Sequence, residues 1–355
     1  MTHERPSRLP QPSFAPALMA LGLMALLWGA VTSWLISLAG LIRVGGAAYR
    51  WIRDLGSEPQ AALPESQDET QAASLAAAKA EMRTPVESLL FRPWLHRYAI
   101  LLAVCTLALL VTGAIVTSHG AVASGSLRQV HIIVAAPVGL LSVGLALWLR
   151  NARGPAWLPR LGWIVVAGAL GQAALGSQNP AVAVFHAWFA QLFFALTVAV
   201  AVVTGRRWIQ NPEPVDDSGR LSLRTLSAVA VALMVVQVGL GAAVRHRAMS
   251  AVPHIAGALV VTIVLLLAAI LVTQKFPEHP TLHPAAKALI GLTFTQVMLG
   301  MAAFITRLMA EEASLAVVIP SVAHVATGSL TLAAAVVLAL QIRRNVRAAP
   351  ARRTI

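Results

Sequence analysis

The sequence predicts an all-α polytopic membrane protein, with an eight-helix core of two pseudo-symmetric four-helix bundles plus one extra N-terminal transmembrane helix. Three observations predict it. Of the 355 residues, 57% are hydrophobic and only 12% charged, with a mean hydropathy of +0.73, which is more apolar surface than a soluble domain buries. The apolar residues gather into nine runs of membrane-spanning length, and none shows the period-two alternation of a barrel strand. One hairpin design then recurs four times within the last eight runs.

The first run, 15–42, is too long for the apolar core of a signal peptide and lacks a clear small-residue cleavage site, so residues 1–44 read as a transmembrane segment. Residues 45–94 read as a polar cytoplasmic linker. They contain "GSEPQAALPESQDETQAASLAAAKAEMRTP", Ala-rich and acidic with no hydrophobic period, and at most one short helix near 72–82. Spans follow at 98–118, 131–149, 161–178 and 186–204 in an N-terminal half (95–210). A C-terminal half (211–345) holds those at 225–243, 254–273, 288–306 and 321–341, and residues 346–355 form a basic tail.

Charge gives the orientation. The formal net charge is +13, which in a soluble chain would suggest nucleic acid. Here the cations flank membrane spans, so they report topology and no nucleic-acid partner is expected. Of the 27 Lys and Arg, 21 fall in the connections 43–97, 150–160, 205–224 and 274–287 and in the C-terminal tail. Only four fall in the alternate connections. The first set therefore faces the cytoplasm, with the C-terminus, and the second faces outward across a bacterial-type inner membrane. The single cysteine, Cys105, lies within a span, so neither an intrachain disulfide nor a Cys-ligated metal cluster is expected.

The repeat carries the chemistry. Gln-x-x-Leu-Gly occurs as "QAALG" (Gln172–Gly176), "QVGLG" (Gln237–Gly241) and "QVMLG" (Gln296–Gly300), with a degenerate "LLVTG" ending at Gly113. After each comes an outward loop, then a histidine at the head of the next span: His131, His186, His254 and His324. The Gly-to-His separations are 18, 10, 13 and 24 residues, so the loops vary while both anchors persist. Glycines in membrane helices commonly serve close packing, and a lone histidine at a span end is commonly an interfacial residue. Four histidines at one repeated position on one side point instead to ligation, because ionisable groups inside a membrane are costly and tend to be functional.

Two facing imidazoles in a helix bundle suit axial ligation of haem iron, which pairs His131 with His186 and His254 with His324. Zinc wants four ligands, and no carboxylate or cysteine accompanies these histidines. A proton relay calls for Asp or Glu, which the spans lack, and the paired charges and broken helices of a transporter are missing too. Haem propionates need cations, and the outward loops offer Arg128, Arg245, Arg247 and Arg307. Phe185, Trp188, Phe189 and Gly257 are expected to line a flat pocket, while His119 and His246 read as loop histidines facing water. Nothing in the chain suggests a nicotinamide or flavin site, and no strand is expected.

Across about residues 95–341 this arrangement resembles the haem A synthase family of cytochrome oxidase assembly proteins, with "QVGLGAAVRH" and "FHAWFAQLFFAL" especially similar to it. The resemblance implies an oxidoreductase of haem A biosynthesis that converts a methyl group of haem O to a formyl group through hydroxylation. It implies a haem b cofactor held by His254 and His324, and substrate haem framed by His131 and His186. An outside electron donor and contacts with haem O synthase and oxidase assembly partners are implied as well. The sequence departs from the family twice. Where the family has a catalytic glutamate three residues before the first histidine, this chain has Arg128, and a guanidinium cannot act as a base at neutral pH. The first outward loop, "HGAVASGSL", lacks the cysteine pair of many bacterial relatives. The alternative is therefore a non-catalytic b-type haem-binding, delivery or electron-transfer protein of the same fold.

Overall fold

The computed structural model describes residues 22, 34–56, 92–119, 125–152, 155–176, 180–209, 214–217 and 221–347. The chain divides into two units, Met1–Lys79 and Ala80–Ile355. In the first, helix α1 spans Trp34–Gly56. The expected span at 15–42 lies largely outside the described residues, as do most of the 45–94 linker and its short helix. Where α1 is described it runs past both expected boundaries. Its apolar stretch is only Leu38–Ala47, and the helix continues through "YRWIRDLG" to Gly56, ahead of Ser-Glu-Pro. Hydropathy marks where a helix stops being oily, whereas a helix ends where its residues stop favouring it.

The second unit is almost wholly helical: α2 (Pro93–His119), α3 (Gly125–Arg150), α4 (Trp157–Leu175), α5 (Pro180–Val203), the short α6 (Arg206–Ile209), α7 (Leu223–Arg245), α8 (Ala251–Lys275), α9 (Leu282–Met309) and α10 (Leu315–Asn345). Eight of these are long and apolar enough to cross a membrane, as expected of an all-α multi-pass protein. Large apolar side chains such as Ile133, Leu140, Leu170 and Leu259 stand exposed on them, a surface that hydrocarbon solvates and water does not.

Three helices begin well before the expected spans. α3 starts six residues early, as do α9 and α10, because a membrane helix extends into the polar headgroup region. α10 also runs through Pro320, where the missing N–H leaves the Ala316 carbonyl without its helical donor. Proline is tolerated inside membrane helices because neighbouring groups satisfy the freed carbonyl. The histidines consequently sit inside their helices: His254 is the fourth residue of α8, His131 and His186 the seventh of α3 and α5, and His324 the tenth of α10.

Each of α2 to α5 packs on the next, and α5 returns to α2; α7 to α10 repeat the pattern, with α10 returning to α7. The two sets meet where α10 contacts both α2 and α5, and α5 contacts α7. Buried small and aliphatic residues fill each set, with Leu102, Leu145, Leu149 and Val165 in the first and Leu265, Leu289, Leu332 and Leu338 in the second. Lipid tails are as apolar as leucine, so close backbone approach and polar contacts hold such helices together. A Cβ on Gly162 of α4 would stand 2.9 Å from the Ala146 Cα of α3.

The arginine-rich end is tied by polar contacts. Asp217 accepts from the Leu223 N–H at 2.8 Å, opening α7, and pairs with Lys275 at the end of α8 at 2.6 Å. A two-residue parallel bridge sets β1 (Val215–Asp216) beside β2 (Val346–Arg347), and the Arg224 Nε donates to the Val346 carbonyl at 2.9 Å. The sequence suggests no strand, and two residues are too few to carry a period. His279 caps α9, its Nδ1 accepting from the Thr281 and Leu282 N–H groups at 3.2 Å each.

Gly162→Ala is expected to destabilise the protein by about 1–3 kcal/mol through overpacking. Gly139→Ala, where a Cβ meets nothing within 4 Å, should be neutral or stabilising by about 0.5–1 kcal/mol from helix propensity. Thermal unfolding in detergent compares the two. Burial lowers the His279 imidazole below its ordinary range, so the folded protein binds fewer protons there than the unfolded chain. Its contribution to stability is present at neutral and higher pH, and is lost as pH falls through the unfolded imidazole range toward the lower folded value. His279→Leu should flatten that part of the stability–pH curve.

Candidate functional site: two imidazole pairs

All four histidines lie toward one end of the second unit, on helices that begin there, and the fold brings them together two by two. The His131 and His186 ring centres are 6.4 Å apart with planes at 85°. Those of His254 and His324 are 6.3 Å apart at 86°. Each pair spans one helix set: α3 with α5, and α8 with α10.

The repeated motif holds the rings, through two of its residues. Gln237 of α7 brings its Nε2 to 3.0 Å from His254 Nδ1 and donates to the His254 carbonyl at 2.8 Å. With its amide nitrogen turned toward the imidazole, Gln172 of α4 makes the same pair of contacts to His186, at 3.2 and 3.3 Å, and its oxygen accepts from the Ala190 N–H at 2.9 Å. Gln296 of α9 meets His324 twice: its carbonyl lies 3.2 Å from Nδ1 and its amide nitrogen 3.4 Å from Nε2. In the degenerate repeat Thr112 substitutes, its Oγ1 2.9 Å from His131 Nδ1. The motif's glycine lies four residues after the glutamine, on the same helical face one turn on. A Cβ at Gly113, Gly241 or Gly300 would stand 2.9, 3.0 or 2.8 Å from Cε1 of His131, His254 or His324. Gly176 differs: it follows the end of α4, and a Cβ there would meet only its own turn.

Gly257, expected to leave room for a flat ligand, serves the glutamine instead, since a Cβ there would strike Gln237 Oε1. Gly328 does the same for Gln296, at 2.9 Å from Nε2.

These partners decide which ring nitrogen carries the proton. The Thr112 hydroxyl donates to the Leu109 carbonyl at 2.8 Å, so its oxygen accepts the His131 Nδ1–H and the Nε2 lone pair stays open. The Gln296 backbone carbonyl can only accept, which fixes His324 in the same tautomer. His186 and His254 face amide nitrogens and take the opposite tautomer until the amide reverses. Gln237 Oε1 and Gln296 Oε1 are buried without a partner, so each amide holds an acceptor in reserve. Each pair thus joins one imidazole with an open Nε2 lone pair to one whose tautomer a glutamine controls.

The expected cations separate. Arg245, at the end of α7, donates to the Ala114 carbonyl of α2 at 2.5 Å and to Ser118 Oγ at 2.7 Å, joining the two helix sets. Arg307 stands within electrostatic reach of Arg245 and of His324. Arg247 is drawn to the surface, where its guanidinium forks onto Glu312 at 2.6 and 2.7 Å. Its φ of 57° occupies the position glycine favours after a helix. Arg128, one turn before His131, is exposed.

His246 caps α7 and is half-buried, with a buried Nε2 that has no partner among the described residues. Burial, then Arg245 and His186, hold its imidazole below the ordinary range. His119 closes α2 with Nδ1 2.9 Å from the Ile115 carbonyl. Trp188 ties the helix sets by donating to the Val235 carbonyl at 2.9 Å, its ring over Gly239, while Phe185 and Phe189 are exposed. No group of three or more His, Cys, Asp or Glu forms a metal cluster among the described residues.

Fold and site together define a multi-pass helical membrane protein with two paired-imidazole sites toward one end. No known family model and no curated protein matches the chain.

Gln237→Leu should cost about 1–3 kcal/mol by leaving a buried imidazole nitrogen unpaired. Combined with His254→Leu, it should show a coupling of about 0.5–3 kcal/mol in a double-mutant cycle of thermal unfolding. Strictly additive losses would show that the contact does not hold the ring.

Proposed function

We propose that the protein binds haem between its imidazole pairs and acts as a haem A synthase-type oxidoreductase of a bacterial-type inner membrane. The separation of the paired rings carries this reading. An imidazole nitrogen lies about 1.2 Å from its ring centre and a metal–imidazole bond is about 2.0 Å long, so two rings ligating one metal from opposite sides have centres roughly 6.4 Å apart. Both pairs have that spacing. With no third protein ligand beside either pair among the described residues, a porphyrin supplies the remaining ligands more readily than zinc's tetrahedral set is completed.

The donor set fits the group. Open Nε2 lone pairs on His131 and His324, and reversible amides on His186 and His254, suit axial ligation, with each Nδ1 anchored by a neighbour as ligating histidines usually are. The recurrence of motif and pairing in both helix sets supports a pseudo-two-fold relation between the halves. In this reading His254 and His324 hold haem b, which when bound supplies electron transfer from an outside donor. His131 and His186 hold and orient the substrate, haem O. Its methyl carbon is taken through the hydroxymethyl stage to the aldehyde, and haem O synthase and the oxidase assembly machinery are the corresponding partners. Arg245 and Arg307, with no carboxylate paired to either among the described residues, provide charge for propionates; Arg247 is committed to Glu312.

One observation favours a second reading. Arg128 stands where the resembled family has its catalytic glutamate, and an always-protonated guanidinium accepts no proton. The same site without turnover is a b-type haem carrier or electron-transfer protein.

The experiment is co-expression with a source of haem O, followed by chromatography of extracted haems. Haem A or its hydroxylated precursor is expected for the enzyme; haem b alone selects the carrier. His254→Ala or His324→Ala should remove most tightly bound haem by absorbance, while His131→Ala should spare it and block turnover. A colourless preparation from haem-replete cells would overturn both readings.

A further inference from the structure

At the end of the second unit opposite the histidines, a cavity of about 320 Å³ opens where α2 begins and α5 and α10 end. His96, Gly205, Arg206, Arg207, Trp208 and Gln341 line it. No carboxylate lines it. Arg206 makes no hydrogen bond or ion pair among the described residues and is exposed, and Arg207 spends one N–H on the Pro280 carbonyl at 3.1 Å. Trp208 forms one wall, with the Arg344 guanidinium over its ring at 5.7 Å. Trp94 has Arg97 over it at 4.9 Å, and the ends of α3 and α4 add Trp148 and Trp157. Tryptophans beside arginines at one level of a helix bundle mark the headgroup layer.

We propose that this cavity binds the phosphodiester of an anionic phospholipid headgroup, clamped by Arg206 and Arg207. Two uncompensated guanidiniums present the forked donors that phosphate oxygens accept. The cavity is at the small end of ligand sites, sized for a headgroup whose acyl chains continue along the exposed apolar faces. Its position in the headgroup layer favours a lipid over a soluble anion, and basic pockets between membrane helices commonly take this role. Gly205 keeps the entrance tight: a Cβ there would stand 3.2 Å from His96 Cε1.

The test uses the full-length protein in detergent. Thermal unfolding is followed while phosphatidylglycerol, phosphatidylcholine or inorganic phosphate is added, for the wild type, for Arg206→Gln/Arg207→Gln, and for Arg150→Gln, an exposed arginine at the same end. Phosphatidylglycerol alone should stabilise the wild type and Arg150→Gln. The double variant should bind it about thirtyfold more weakly, at roughly fivefold per arginine. All three proteins should melt alike without lipid, since the replaced side chains are exposed. An equal phosphatidylglycerol response in the double variant would overturn the site. A response to phosphate or phosphatidylcholine as large as that to phosphatidylglycerol would overturn the assignment to anionic lipid.

Discussion

The structure turns on one requirement: an imidazole placed inside a membrane helix needs a partner for its ring nitrogen and room for its ring. The chain meets both with a single short motif on the preceding helix. A glutamine amide, or Thr112 in the first repeat, takes Nδ1, and a glycine one turn on lets the ring lie against the helix backbone. A polar group left alone in such a setting costs several kcal/mol, so histidine, amide and glycine are one unit. Their dependence reaches further, because the amides themselves need the absent side chains of Gly257 and Gly328. Helix spacing within each set is thereby tied to the placement of its imidazoles.

The joint between the two helix sets depends on the same end of the molecule. Arg245 leaves α7 one turn after Gly241, which cradles His254, and reaches the Ala114 carbonyl beside Gly113, which cradles His131. Trp188, two residues after His186, donates across to α7. Deeper in the interface Ser329 Oγ donates to Gln191 Oε1 at 3.3 Å. A displacement at one pair therefore has a direct packing route to the other. The opposite end is built differently, with a carboxylate–ammonium tie, a two-residue bridge and many arginines, in keeping with a charged boundary that meets headgroups and water.

Much of this was legible in the sequence. Eight of the nine expected spans are helices of the second unit, and the pairing of His131 with His186 and His254 with His324 is the one the geometry shows. The glutamines and glycines were visible as a repeat, but their task was not, because a motif's spacing says which residues share a face and nothing about what that face meets. Thr112 was hidden because it replaces the glutamine from a different position in the turn. Gly257 was assigned to the wrong neighbour for the same reason. Span starts were placed late at α3, α9 and α10, since helices outrun their apolar cores and Pro320 looks like a boundary. Arg247 and Arg245, two residues apart, were indistinguishable until the αL turn sent one to Glu312 and left the other at the joint.

What the sequence alone determined is what composition and period carry: a helical multi-pass chain, an arginine-rich end and a histidine end, and four imidazoles in repeated positions. These are properties of single helices and of hydrophobic thickness, so they survive without knowledge of neighbours. The tertiary structure decided the ring separations of 6.3 and 6.4 Å, the nearly perpendicular planes, the tautomers, and which arginines stay beside the pairs. Those depend on distances between helices far apart in the chain, set by where two backbones can approach without a Cβ between them.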